Sequence, residues 1–229
     1  MQKRISCLAL ILLLLGATGS AQVSINQVPG SEQWINKEVM AIAAKAPDLN
    51  PKVLKLSLIA YEKARKNGLG DQGILTIIDY SKPSNEKRLW VIDLKNEKVL
   101  FYTHVAHGKN SGELQSNSFS NEPNSLKSSI GVFVANETYT GGKGYSLRLK
   151  GMEPGINDNV YKRKVIFHGA AYVSEAQAKT QGKIGRSWGC MAVSSNVIHS
   201  LINTIKNNTL VFAYYPDNHW LGKSKFLNI

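Results

Sequence analysis

Ile74-Leu75-Thr76-Ile77-Ile78-Asp79-Tyr80, Arg88-Leu89-Trp90-Val91-Ile92-Asp93-Leu94 and Lys98-Val99-Leu100-Phe101-Tyr102-Thr103-His104-Val105-Ala106 decide the fold class. All three runs are short and rich in β-branched and aromatic residues. The second and third are parted by the turn Lys95-Asn96-Glu97, so each reads as a strand. The pattern continues downstream. Residues 129–136 and 146–149 read as strands on either side of a Gly-rich turn at Gly141, Gly142 and Gly144. Residues 164–167 form a short apolar strand leading into His168-Gly169, and residues 210–215 form a last strand ended by Pro216. Residues 193–205 read as a helix capped by Ser194 or Ser195, with Val197, Ile198, Leu201, Ile202 and Ile205 on its apolar face. Many short strands with one or two helices predict a mainly β domain, built as a β-sandwich or open barrel.

Upstream of Gly73 the period is helical. Residues 22–36 look like a polar lead, and residues 37–67 carry a helical pattern. Asn50 is a good N-cap with Pro51 at the first helical position. Val53, Leu54, Leu58 and Tyr61 fall near one face, and Gly68 is placed to end the helix. The first 21 residues read as a signal peptide: Lys3 and Arg4 precede an apolar run from Leu8 to Leu15, and Gly19-Ser20-Ala21 suits signal peptidase. That run is too short to span a bilayer. Cys7 precedes it, so no lipid anchor is expected. The expected organisation is a signal peptide (1–21), a helical preface (22–70) and a main domain (71–229), exported to the periplasm or cell envelope or secreted from the cell, and not held in the membrane.

The chain of 229 residues has a formal charge of +12. Removing Lys3 and Arg4 leaves about +10, which favours acidic partners such as a wall polymer or an anionic membrane surface. The export signal and the even spread of Lys and Arg argue against nucleic acid as a partner. Cys7 would leave with the signal, so Cys190 has no disulfide partner within the remaining chain. A lone cysteine of this kind is either an inert buried thiol or a reactive one.

The context of Cys190 is Gly185-Arg186-Ser187-Trp188-Gly189-Cys190. Gly189 would let the backbone approach a substrate closely. Loop amides could face a developing oxyanion, and Arg186 could favour the thiolate. A nucleophilic cysteine also needs a base. The candidates are His104, His107, His168, His199 and His219. His168 stands out at a strand end before Gly169. His199 and His219 suit structural roles, and His104 and His107 suit a turn beside Gly108. No Asp or Glu adjoins His168, so the Gly169 carbonyl is a candidate to orient its imidazole.

Phe167-His168-Gly169 followed by Gly185-Arg186-Ser187-Trp188-Gly189-Cys190 resembles the L,D-transpeptidase catalytic domain (YkuD-like) family, closest to its murein L,D-transpeptidase branch. Leu89-Trp90-Val91-Ile92-Asp93-Leu94, Val105-Ala106-His107-Gly108-Lys109-Asn110-Ser111-Gly112, Ser128-Ser129-Ile130-Gly131 and Gly144-Tyr145-Ser146-Leu147-Arg148-Leu149 also resemble that branch. The resemblance runs over about residues 48–216. It implies a β-rich fold with Cys190 as nucleophile, His168 as base and the Gly169 carbonyl as orienting acceptor. Arg186, Ser187, Trp188 and Gly189 would border the substrate and the oxyanion. The implied substrate is a peptidoglycan stem peptide, cut between diaminopimelate and D-alanine and joined to a second stem as a 3–3 crosslink. No metal or organic cofactor is implied, and a carbapenem is the expected covalent inhibitor. Better known members carry His where this chain has Trp188, and Arg where it has Ala192.

Three alternatives stand beside transfer. Water could end the same acyl-enzyme, giving an L,D-carboxypeptidase or endopeptidase. A non-catalytic wall-binding module would need neither His168 nor the Ser187–Cys190 loop. A metal site on His107, His168 and Cys190 lacks the short ligand spacing usual for zinc.

Overall fold

The computed structural model describes residues 28–70 and 72–227. The expected signal peptide lies outside them. Two helices come first, α1 (Glu32–Ala43) and α2 (Pro51–Lys66). Ser31 caps α1 by accepting from the Trp34 amide at 3.2 Å, and Asn50 caps α2 by accepting from the Lys52 amide at 2.9 Å. The helical pattern of the sequence is therefore two helices, and the first begins five residues earlier than the pattern suggests. Pro47 and Pro51, which have no amide to donate, favour a break between them. Val53, Leu54, Leu58 and Tyr61 are all buried, and α2 packs against β1 (Ile74–Asp79) and β8 (Leu210–Tyr214).

The remaining strands are β2 (Leu89–Asp93), β3 (Lys98–Thr103), β4 (Gly131–Gly141), β5 (Gly144–Gly151), β6 (Ile166–Ala170) and β7 (Met191–Ser194). They form one sheet in the order β3-β2-β1-β8-β4-β5-β6-β7. The pairs β1–β8 and β6–β7 are parallel and the others antiparallel. The sheet curls until its two edges nearly meet. Just past β3, the Ala106 amide donates to the Ala192 carbonyl at 2.8 Å, and Gly108 bridges Ser187. The mainly β expectation holds, in the form of a nearly closed barrel.

The stretch read as one helix from Val193 is a strand, β7, followed by α4 (Ile198–Ile205). Met191, Ala192 and Val193 are fully buried beside β6, and a short apolar run fits either element by periodicity alone. Neither Ser194 nor Ser195 caps α4; its N-cap residue is Val197, without a side-chain bond. His168 is the third residue of β6 rather than the residue after a strand. Two further helices, α3 (Glu175–Gln181) and α5 (Asn218–Lys223), exceed the one or two expected. α3 buries only Ala178, so it shows no apolar stripe in the sequence.

Most of the core lies between the sheet, α2 and α4. A smaller cluster of Ala106, Ala170, Val173, Ala178, Ile184 and Ala192 packs where the sheet edges meet. At the C-terminal end the buried Glu153 accepts from the Val132 amide at 2.7 Å, from Trp220 Nε1 at 3.1 Å and from the Ser224 hydroxyl, which ties α5 to the barrel.

Candidate active site

The parallel pairing of β6 and β7 sets Phe167 opposite Met191 and His168 opposite Ala192. Cys190, one residue before β7, is thereby level with Ile166 at the start of β6. Its thiol lies 3.7 Å from the Lys164 carbonyl, and the Ile166 amide is directed at the sulfur. Cys190 and His168 line one cavity of roughly 450 Å³, together with Lys143, Arg163, Tyr172 and Trp188 among others.

His168 is buried, and its Nδ1 lies 2.9 Å from the Gly169 carbonyl. A carbonyl only accepts, so Nδ1 carries the hydrogen and Nε2 keeps its lone pair. Among the described residues Nε2 has no protein partner. Burial pulls the imidazole below its ordinary pKa, only partly opposed by the bond to Gly169. Burial pushes the Cys190 thiol up, partly opposed by the Ile166 amide and by the charges of Lys143 and Arg163. Both shifts favour a neutral thiol and a neutral imidazole in the resting protein, facing one cavity. Such a pair can make a thiolate at the moment of attack by passing one proton from sulfur to nitrogen.

The loop before Cys190 is held from within. The buried Ser187 hydroxyl donates to the Cys190 carbonyl at 2.7 Å and accepts from the Gly189 amide at 3.1 Å. The Ser187 amide donates to the His107 carbonyl at 2.8 Å, and the Lys109 amide donates to the Ser187 carbonyl at 2.8 Å. The Gly189 amide is thus engaged inside the loop and does not face the cavity as a free donor. Gly189 has φ +112°, and a Cβ there would lie 2.7 Å from the Lys127 carbonyl oxygen. The close approach that the sequence suggests at Gly189 is therefore to the protein's own backbone.

Arg186 lines the cavity, yet its guanidinium is 2.6 Å from Glu113 and donates to the Lys109 and Gly112 carbonyls at 3.0 and 3.1 Å. The charges acting on the sulfur come instead from Lys143, on the Gly-rich turn between β4 and β5, and from Arg163. Trp188 is 75% exposed at the cavity rim, with Lys109 Nζ 5.9 Å from its ring centre.

The other histidines lie elsewhere. His107 is fully buried, with Arg88 2.8 Å from Nδ1 and the Gly112 carbonyl 3.1 Å from Nε2. With both ring nitrogens engaged it serves neither as base nor as ligand. His104 Nε2 is 3.1 Å from the Asn85 carbonyl, His199 stacks on Tyr145 at 5.0 Å, and His219 lines a separate small cavity. Among the described residues no group of three His, Cys, Asp or Glu is placed to hold a metal ion.

Sequence reasoning missed Arg163, Lys143 and Tyr172. Arg163 sits in Lys162-Arg163-Lys164, which reads as a solvated charge run, and Lys143 sits in a turn. The Tyr172 phenol is pushed up to about 12 by burial and by Cys190.

A family model described as L,D-transpeptidase catalytic domain matches residues 45–214. Among solved structures, the chain is similar to an L,D-transpeptidase from Mycobacterium smegmatis at 14% identity and TM-score 0.39, over 62% of this chain and 59% of that one. An L,D-transpeptidase from Stackebrandtia nassauensis is similar at 14% identity and TM-score 0.37, over 79% and 77% of the two chains. LdtMt1, an LD transpeptidase in complex with imipenem, is similar at 15% identity and TM-score 0.38, over 62% and 59%. The match spans less than two thirds of the Mycobacterium smegmatis and LdtMt1 chains. No curated protein matches the chain.

Proposed function

The chain belongs to the L,D-transpeptidase catalytic domain family, and from that premise we propose that it is an exported cysteine acyltransferase acting on peptidoglycan stem peptides. Cys190 is the nucleophile and His168 the base. The observation that carries this reading is the His168 imidazole, anchored through Nδ1 to the Gly169 carbonyl, with its free Nε2 on a ring that lines the same cavity as the thiol.

In the first half-reaction the thiol proton passes to His168 Nε2 and the sulfur attacks the carbonyl between diaminopimelate and D-alanine. The tetrahedral adduct collapses, the C–N bond breaks, and the departing amine takes the proton from Nε2. D-Alanine leaves and a thioester remains on Cys190. In the second half-reaction His168 takes a proton from a side-chain amine of another stem. The amine attacks the thioester, and the sulfur leaves and recovers its proton, giving a 3–3 crosslink. Lys143 and Arg163 place positive charge where the thiolate develops. Of the cations lining the cavity, Arg186 is the one with a carboxylate at ion-pair distance among the described residues, and this suits a substrate that carries carboxylates of its own. The basic, apolar and small-residue pattern of residues 1–21 supports the export part of this reading.

Two measurements test this reading. Intact-mass spectrometry after carbapenem treatment is expected to show one adduct on the wild type and none on Cys190→Ala; an equal adduct on both would refute the nucleophile. Incubation with a diaminopimelate tetrapeptide is expected to give crosslinked dimers. Tripeptide without dimer, at high donor concentration, would replace transfer by hydrolysis.

A further inference from the structure

We infer that Arg163 is a positioning residue for Cys190: it clasps the 120–129 loop against the nucleophile loop and holds an unneutralised positive charge beside the sulfur. The inference rests on the reading of Cys190 as nucleophile and goes beyond it.

Arg163 lies three residues before β6, on the approach to His168. Its guanidinium serves four acceptors on a single loop. Nη1 donates to the Ser120 carbonyl and to the Ser129 hydroxyl, the latter at 2.5 Å. Nη2 donates to the Ser125 hydroxyl at 3.1 Å and to the Lys127 carbonyl at 2.7 Å. The same Lys127 carbonyl is the atom that forbids a side chain at position 189. A Cβ on Gly189 would also come within 3.6 Å of Arg163 Nη2. Guanidinium, loop carbonyl and nucleophile loop therefore meet at one point, one residue from Cys190.

The partners are all neutral, which distinguishes this arginine from its neighbour. Arg186 is matched by Glu113 at 2.6 Å, whereas no carboxylate lies within ion-pair distance of Arg163 among the described residues. Glu122 acts on it only at longer range. A half-buried cation without a counter-ion is costly to a fold that needs only a clasp. It is useful where a negative charge must appear, and Arg163 and Cys190 each shift the other toward its charged form. The remaining titratable groups around the sulfur are Lys143 on the β4–β5 turn, Lys164 before β6, His168 on β6, Tyr80 after β1 and Tyr172 after β6. Burial raises both phenols, so they stay neutral.

The test follows iodoacetamide alkylation of the Cys190 peptide against pH in wild type, Arg163→Lys and Arg163→Gln, with circular dichroism of each. Arg163→Gln is expected to raise the apparent thiol pKa and to slow alkylation at pH 7 by about threefold to tenfold, as a shift approaching one unit requires. Arg163→Lys is expected to stay within about twofold of wild type, because it keeps the charge while losing part of the clasp. Equal profiles for the folded Lys and Gln variants would overturn the inference. Should Arg163→Gln not fold, the Lys143→Gln/Lys164→Gln double variant decides, since both side chains are exposed. Relative to free cysteine, a retained preference for anionic iodoacetate over iodoacetamide supports Arg163, and its disappearance refutes it. Absence of any carbapenem adduct on wild-type Cys190 would instead remove the nucleophile reading itself.

Discussion

His168 Nδ1 lies 2.9 Å from the carbonyl oxygen of Gly169, the next residue in the chain, so a peptide group occupies the place that a carboxylate takes in many catalytic triads. A neutral acceptor fixes the tautomer without adding negative charge, and burial then draws the imidazole pKa down. The imidazole is therefore deprotonated at lower pH than a free histidine. The pH profile of acyl-enzyme formation is expected to have its ascending limb below about pH 6.5, the ordinary histidine value. Substituting His168→Gln should remove that limb and lower the rate by about 10²–10⁴ with the fold kept. A limb that survives in His168→Gln would assign it to another group.

Ser187 joins the two ends of the loop before Cys190 with one hydroxyl, which holds the Cys190 carbonyl at 2.7 Å and the Gly189 amide at 3.1 Å. Ser187→Ala leaves both groups without their partner in a buried place. A stability loss of about 1–3 kcal/mol is expected, together with slower carbapenem acylation of an intact Cys190. Chemical denaturation and adduct kinetics measure the two effects. Full-rate acylation by a destabilised variant would separate the hydroxyl from the alignment of the sulfur.

Gly189 is constrained twice, by φ +112° and by the Lys127 carbonyl 2.7 Å from where a Cβ would stand. Backbone atoms cannot yield as a flexible side chain does. Gly189→Ala is therefore expected to cost more than about 1 kcal/mol and to displace the loop that carries Cys190. Thermal melting with thiol alkylation kinetics checks it, and an unchanged melting temperature would contradict the constraint.

Much of the candidate site is legible in the sequence because its parts lie in short, distinctive stretches. The lone Cys190 after Gly189, and His168 before Gly169, are each read within a few residues. The elements around them were harder where local pattern and tertiary context disagree. Met191-Ala192-Val193 suits a helix start as well as a strand, and only pairing with Phe167, His168 and Gly169 makes it β7. Arg163 shows nothing by itself, since its role arises from carbonyls and hydroxyls between 34 and 43 residues earlier in the chain. Arg186 is the converse case. Its proximity in sequence suggested a charge for the thiol, but Glu113, distant in sequence, takes that charge.

His107 gives the protein an acid-sensitive support beneath the site. Its carbonyl holds the Ser187 amide, while its ring is fully buried between Arg88 and the Gly112 carbonyl. Burial, followed by the Arg88 charge, lowers its pKa to about 4. The unfolded chain binds a proton here near pH 6.5 and the folded chain does not until about pH 4. Between those values the unfolded state holds more protons, so stability falls as the pH is lowered, and the loss levels off below the folded pKa. The full loss from this one group is about 3 kcal/mol. In His107→Asn the amide oxygen can still accept from Arg88 but cannot titrate. The stability difference between pH 7 and pH 4 should therefore be smaller in His107→Asn than in wild type by an amount of that order. His104 and His168, also lowered by burial, are common to both proteins and cancel in the comparison. Urea denaturation of both proteins at the two pH values measures it, and equal acid sensitivity would mean that the His107 ring is not what couples this loop to pH.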